Sequence, residues 1–142
     1  DVISSDIHQF SIHGPLFDLP TCLSKFMAIG MSFAQVVEAA TARPAGVLGM
    51  QREIGTLRPG ALADVALFRL EEGDFTYYDI HMNERKGKSL IRNTLTIVNG
   101  RELPQMSDPP PAPWIELSEA QRSLVARGHT PGAMAMQACS DC

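Results

Sequence analysis

The rhythm of apolar and polar positions changes several times along the chain, and each change marks an element. Val2 and Ile3, followed by Ser4-Ser5-Asp6, read as the end of a buried β-strand that delivers a carboxylate. Residues 7–18 (IHQFSIHGPLFD) show no helical period, and Gly14-Pro15 is a turn signal, so a loop is expected. A helical period then sets in. Leu23, Phe26 and Met27 share one face of a helix that begins near Leu19-Pro20. Pro20 suits the first helical position, where a missing N–H costs nothing. Asp18 is placed to cap this helix, and Gly30 fits its C-terminal stop. Ser32 and Gln35, three residues apart, make a capping box for a second helix. Phe33, Val36, Val37 and Ala40 supply its apolar face. Pro44 ends that helix and opens a short one through Ala45, Val47 and Leu48.

From Gly55 the pattern turns to strands. Gly55-Thr56-Leu57-Arg58-Pro59-Gly60 is turn-rich, and Ala63 to Leu70 (ADVALFRL) reads as a strand. Phe75 to Tyr78 predicts a short strand and Leu90 to Val98 (LIRNTLTIV) a long one with several β-branched residues. Asn99-Gly100 is a hairpin signal, since both residues tolerate positive φ, and Glu102-Leu103 begins the return. Five of the ten prolines lie between Pro104 and Pro113, which predicts a stiff linker. A last helix is expected from Ser118 to Arg127, with Ser118 as cap and Leu124 and Val125 as its apolar face. Disorder is expected beyond Gly128. The chain thus divides into residues 1–54, 55–103 and 104–142.

Composition narrows the function classes. The 142 residues are 44% hydrophobic and 20% charged, as in a globular protein, and one modest domain is the size expected. A net charge of −4, with no extended basic patch, gives no reason to expect nucleic acid. Arg85, Lys86 and Lys88 read as a solvated hairpin tip. No run approaches the roughly 18 apolar residues of a membrane span. Three cysteines make no disulfide framework, so a reducing cytoplasm is the default compartment. Cys139-Ser140-Asp141-Cys142 is a lone Cys-x-x-Cys without the second ligand pair that zinc requires. Cys22, at helical spacing beside Phe26, reads as core. His129, Met134 and Met136 read as tail.

The order of these pieces carries a resemblance. Ser4-Ser5-Asp6 is followed by Gly14-Pro15-Leu16-Phe17-Asp18-Leu19-Pro20, then by Thr41-Ala42-Arg43-Pro44-Ala45. Gly55-Thr56-Leu57-Arg58-Pro59-Gly60-Ala61-Leu62-Ala63-Asp64-Val65 comes next, and a hairpin closes with Val98-Asn99-Gly100-Arg101. From Val2 to Leu103 this resembles the C-terminal end of the amidohydrolase superfamily of metal-dependent hydrolases, with the dihydroorotase-like deacetylases most similar. The resemblance implies an α/β fold: the last strand and helices of a (β/α)8 barrel over residues 1–54, and part of a flanking β-sandwich over 55–103. The active site of such a barrel lies at the C-terminal ends of its strands. Asp6 would end the eighth strand, contact a divalent metal such as zinc, and accept a proton from the attacking water. His8, His13 and Gly14, in the loop after that strand, become candidate substrate contacts.

The departures matter as much. The family's His-x-His pair, its bridging Lys and its two later His ligands are absent; His8, His13, His81 and His129 are not at His-x-His spacing. The expectation is therefore the end of a larger cytoplasmic enzyme. It would cleave amide or ester bonds of small molecules, but this chain would hold no metal and be inactive by itself. A small-molecule substrate is the expected partner, and homo-oligomer formation stays open. The alternative is a non-catalytic binding or assembly module that reuses this end of the fold. In that case the Pro-rich segment and final helix would dock a partner.

Overall fold

In the computed structural model the described residues are 1–8, 11, 14–104 and 116–126. Their order is three helices, three strands and a final helix: α1 (Leu19–Ala28), α2 (Phe33–Ala40), α3 (Ala42–Val47), β1 (Val65–Tyr78), β2 (Glu84–Val98), β3 (Arg101–Leu103) and α4 (Glu119–Ala126).

The helix boundaries follow from side-chain caps. Asp18 accepts the Thr21 amide at 2.7 Å and starts α1, with Pro20 in its first turn. The Ser32 hydroxyl accepts the Gln35 amide, and the Gln35 side chain accepts the Ser32 amide at 2.7 Å. This reciprocal pair satisfies two donors that a helix start leaves open. The face of α2 differs by one position from expectation. Val36 and Ala39 are buried, whereas Phe33 stays exposed at the helix start.

The sheet is antiparallel in the order β1-β2-β3. Glu71-Glu72-Gly73-Asp74 suggests a break between two strands, yet β1 runs through it. The register slips between Glu72 and Phe75, so a bulge takes up what the sequence presents as a turn. Glu84 to Ser89 pair with the far half of β1, which starts β2 six residues before Leu90. Asn99 (φ 50°) and Gly100 (φ 73°) make the expected turn into β3.

One helix closes the sheet on the core. α1 lies across β2, and Leu23, Val36 and Ile91 form a buried cluster with Leu19, Phe26 and Met27 against it. Phe75, Tyr77 and Leu90 form a second cluster under Ala28. Phe17 and Tyr78 form a third, with Met82. The result is a small α/β unit around a three-stranded antiparallel sheet.

The N-terminal segment departs from expectation. Val2–Asp6 is not part of any strand among the described residues. A strand needs a neighbour, and β1, β2 and β3 pair among themselves. The Ile3 amide instead donates to the Ala39 carbonyl of α2 at 2.9 Å. At the other end Ser118 caps α4, as expected: its hydroxyl accepts the Gln121 amide at 3.2 Å. The proline-rich stretch 105–113, the tail beyond Gly128, and with it His129, Met134, Met136 and the Cys139–Cys142 pair, lie outside the described residues.

Candidate functional site

A cleft of about 560 Å³ opens between the N-terminal segment, α1 and the β1–β2 turn. Asp6 and His8 both line it. Leu16, Phe26, Ile29 and Ile80 give it an apolar wall.

Asp6 is held by short local ties. Its amide donates to the Ser4 hydroxyl at 3.4 Å, and the Ser4 carbonyl accepts from the Cys22 thiol at 3.8 Å. Asp6 sits at φ 49°, in the left-handed region. Asp and Asn visit that region more readily than other non-glycine residues. Asp6 is exposed and lines the cleft.

His8 sits in a turn closed by Ser11. The Ser11 amide donates to the His8 carbonyl at 2.9 Å, and the His8 amide donates to the Ser11 hydroxyl at 3.1 Å. Gly14 is buried behind the cleft and does not line it. Its φ of 115° requires glycine, and its carbonyl accepts from the Gln121 side chain at 2.9 Å. Gly14 is therefore a backbone pivot in this structure, with its neighbour Pro15 at the cleft wall. His13 lies outside the described residues.

The structure adds residues that sequence reasoning passed over. Lys25 projects from α1 into the cleft wall and donates to the Pro15 carbonyl at 2.6 Å. Burial pulls its ammonium below the usual lysine range, against the opposing pull of Cys22 and Asp79. The signal was present: Lys25 is the lone charge in Leu19–Ala28 (LPTCLSKFMA). Burial likewise pushes the Cys22 thiol up, so Cys22 is a structural side chain rather than a nucleophile. Tyr77 also faces the cleft and donates its hydroxyl to the Ser89 carbonyl at 2.6 Å. Desolvation pushes its phenol up to about 12.

Asp79 organises the turn on the far side. Its carboxylate accepts from the Asn83 side chain at 2.9 Å, the Asn83 amide at 2.9 Å and the His81 amide at 2.8 Å. Those bonds, led by the Asn83 side chain, hold its carboxyl below the usual carboxylate range. These bonds tie the turn that carries Ile80 and make Asp79 a weaker proton acceptor than an ordinary carboxylate.

The chemistry this arrangement can perform is limited and definite. Asp6 can accept a proton from a small molecule or water in the cleft. His8 can contact a polar substituent, and the apolar wall can exclude water from one side. Among the described residues no three His, Cys, Asp or Glu side chains converge as a metal site requires. A divalent metal therefore does not fit on these residues as a set; Asp6 offers one carboxylate.

Residues 25–104 match the model of the amidohydrolase family. A deacetylase of Agrobacterium fabrum is 32% identical over 101 residues, which is 71% of this chain and 25% of that protein. The crystal structure of an adenine deaminase superposes with a TM-score of 0.69 at 30% identity, over 73% of this chain and 28% of that one. The crystal structure of a dihydroorotase superposes with a TM-score of 0.62 at 28% identity, over 72% and 27%. The chain spans about a quarter of the length of the curated relatives it matches.

Proposed function

Because this chain belongs to the amidohydrolase family, we propose that it is one part of a metal-dependent hydrolase. That enzyme cleaves amide (C–N) or ester bonds of small molecules, in the manner of a deacetylase or dihydroorotase. Residues 1–54 contribute the end of a (β/α)8 barrel and residues 55–103 part of a flanking β-sandwich. In the assembled barrel the Val2–Asp6 segment gains the strand neighbours it lacks here. Asp6 contributes one contact to a divalent metal, zinc by the family pattern, and the other ligands come from residues other than those described. The chain alone is inactive.

The observation that carries this reading is the place of Asp6. An exposed carboxylate at φ 49° faces a cleft with an apolar wall, within a chain whose following residues match the family. Sparsely populated backbone conformations cluster at active sites and ligand clamps, which supports a functional role for Asp6. Asp6 takes the proton of the attacking water and returns it to the leaving group, while His8 contacts the substrate.

The test is acetate release from a panel of N-acetyl amides and acetate esters by the full-length protein, with zinc or manganese supplied. Metal-dependent turnover supports the reading. No release from any amide or ester, with binding of the same compounds retained, replaces it by a binding module.

A further inference from the structure

α4 lies outside the residues that match the family, which end at 104. It nevertheless reaches back across the chain. The Gln121 side chain donates to the Gly14 carbonyl at 2.9 Å, a contact between positions 107 residues apart.

This contact falls beside a carbonyl that another helix already holds. Lys25 of α1 donates to the next carbonyl, that of Pro15, at 2.6 Å. Two consecutive carbonyls are thus taken by side chains from two different helices. The hold passes onward through the backbone. The Gly14 amide donates to the Ser11 carbonyl at 3.1 Å, and Ser11 closes the turn that carries His8.

Gln121 uses both ends of its amide group. Its Oε1 accepts the Ser118 amide at 3.0 Å and completes the capping box of α4. Its Nε2 holds Gly14. A glutamate could do the first and not the second, since a carboxylate accepts but does not donate. It would also set an oxygen against the Gly14 carbonyl oxygen.

We propose that α4 is a strap over the cleft loop: Gln121 fixes the Gly14–Phe17 segment against α1 and thereby positions His8 at the mouth of the cleft. The strap gives this chain a control point that the family-matched residues do not contain. Its effect on turnover rests on the hydrolase reading of the cleft; its effect on the loop does not.

The experiment is hydrogen exchange by mass spectrometry on the full-length protein, comparing wild type, Gln121→Glu and Gln121→Ala. Both variants should speed exchange of residues 14–18 about three- to tenfold, the loss of one side-chain hydrogen bond. Unchanged exchange in Gln121→Glu, whatever Gln121→Ala does, overturns the strap, because the donor is then not what holds the loop. A second measurement reads KM and kcat on an acetylated substrate. Release of the loop should raise KM roughly three- to tenfold and leave kcat within about twofold. Faster exchange with both constants unmoved overturns the positioning of His8. If wild type shows no hydrolysis while exchange responds as expected, the hydrolase reading fails and the strap stands as a hold on the loop.

Discussion

The Ser24 hydroxyl accepts the backbone amide of Ile91 at 2.8 Å, deep in the core. The same hydroxyl donates to the Pro20 carbonyl at 2.7 Å, so one buried atom serves both helix and sheet. β3 pairs with β2 at Thr96 to Val98 alone, which leaves the edge of β2 open from Glu84 to Asn93. α1 covers that edge and gives Ile91 its partner, as a buried amide requires.

Ser24→Ala should therefore cost more than an ordinary helix substitution. The Ile91 amide would be left buried and without its acceptor, which costs about 1–3 kcal/mol. Urea unfolding of the full-length protein reads this directly. A loss below about 0.5 kcal/mol would show that the edge is not held by this bond.

Tyr77 makes stability depend on pH at the alkaline end. Its phenol is pushed up to about 12 by burial, against an ordinary value of 10.0. A raised pKa in the folded state means the neutral form is favoured there. The stability it contributes is fully present below pH 10 and is lost as the pH rises from 10 toward 12. Tyr77→Phe should be less stable at pH 8, because the Ser89 carbonyl loses its donor, and should show a shallower fall between pH 10 and 12. Urea midpoints at the two ends of that range, in both proteins, decide it. Parallel pH profiles would count against a buried phenol.

Much of this was legible in local chemistry. The Asp18 cap, the Ser32–Gln35 box, the Asn99-Gly100 turn and the Ser118 cap each depend on residues within a few positions of one another, and each appears as read. The misreadings involve distant partners. The strands expected at Ala63–Leu70 and Phe75–Tyr78 are one, β1, in which Glu71 and Asp74 find Arg92 and Lys88 of β2, with Glu71 bonded to Arg92 at 2.8 Å. Val2 and Ile3 have the composition of a strand, but composition supplies no neighbour. The cleft was half legible. Asp6 and His8 came from the family pattern; Lys25 stood out as the lone charge of α1, whereas Tyr77 and Asp79 join the cleft through tertiary packing that no sequence spacing encodes.

The turn motif Gly55-Thr56-Leu57-Arg58-Pro59-Gly60 has a steric reason at its first residue. Gly55 has φ +68°, and a Cβ there would lie 2.6 Å from the Thr41 carbonyl oxygen and 2.9 Å from the Ala45 Cβ. The first obstacle is backbone and cannot swing aside. Gly55→Ala combines a left-handed strain with an overlap and should cost about 2–4 kcal/mol. Gly60→Ala is the control. Its φ of +90° is also positive, but nothing lies within 4 Å, so its cost should be the conformational part alone. Thermal unfolding of the two variants separates the terms. Equal losses would mean that the close approach to Thr41 is relieved at no cost.

Asp6 is the residue on which the functional reading turns, and its geometry supplies a clean test. The side chain is exposed and makes no contact that α1 or the sheet depends on. Its backbone lies at φ 49°, a conformation asparagine adopts as readily as aspartate. Asp6→Asn therefore keeps the shape, the dihedral angle and the local ties to Ser4, and removes the proton acceptor. Loss of a positioned base typically lowers the rate by about 10²–10⁴. In the full-length protein kcat should fall by that factor while the unfolding midpoint stays where it was. Asp6→Ala should lose the same rate and also destabilise slightly, since alanine tolerates positive φ poorly. The measurement is turnover of an acetylated substrate by all three proteins, with zinc or manganese supplied, beside their urea midpoints. Near-normal turnover in Asp6→Asn would remove this carboxylate from the mechanism. A fall in rate matched by a fall in stability would make Asp6 a structural residue, and the cleft would need another base.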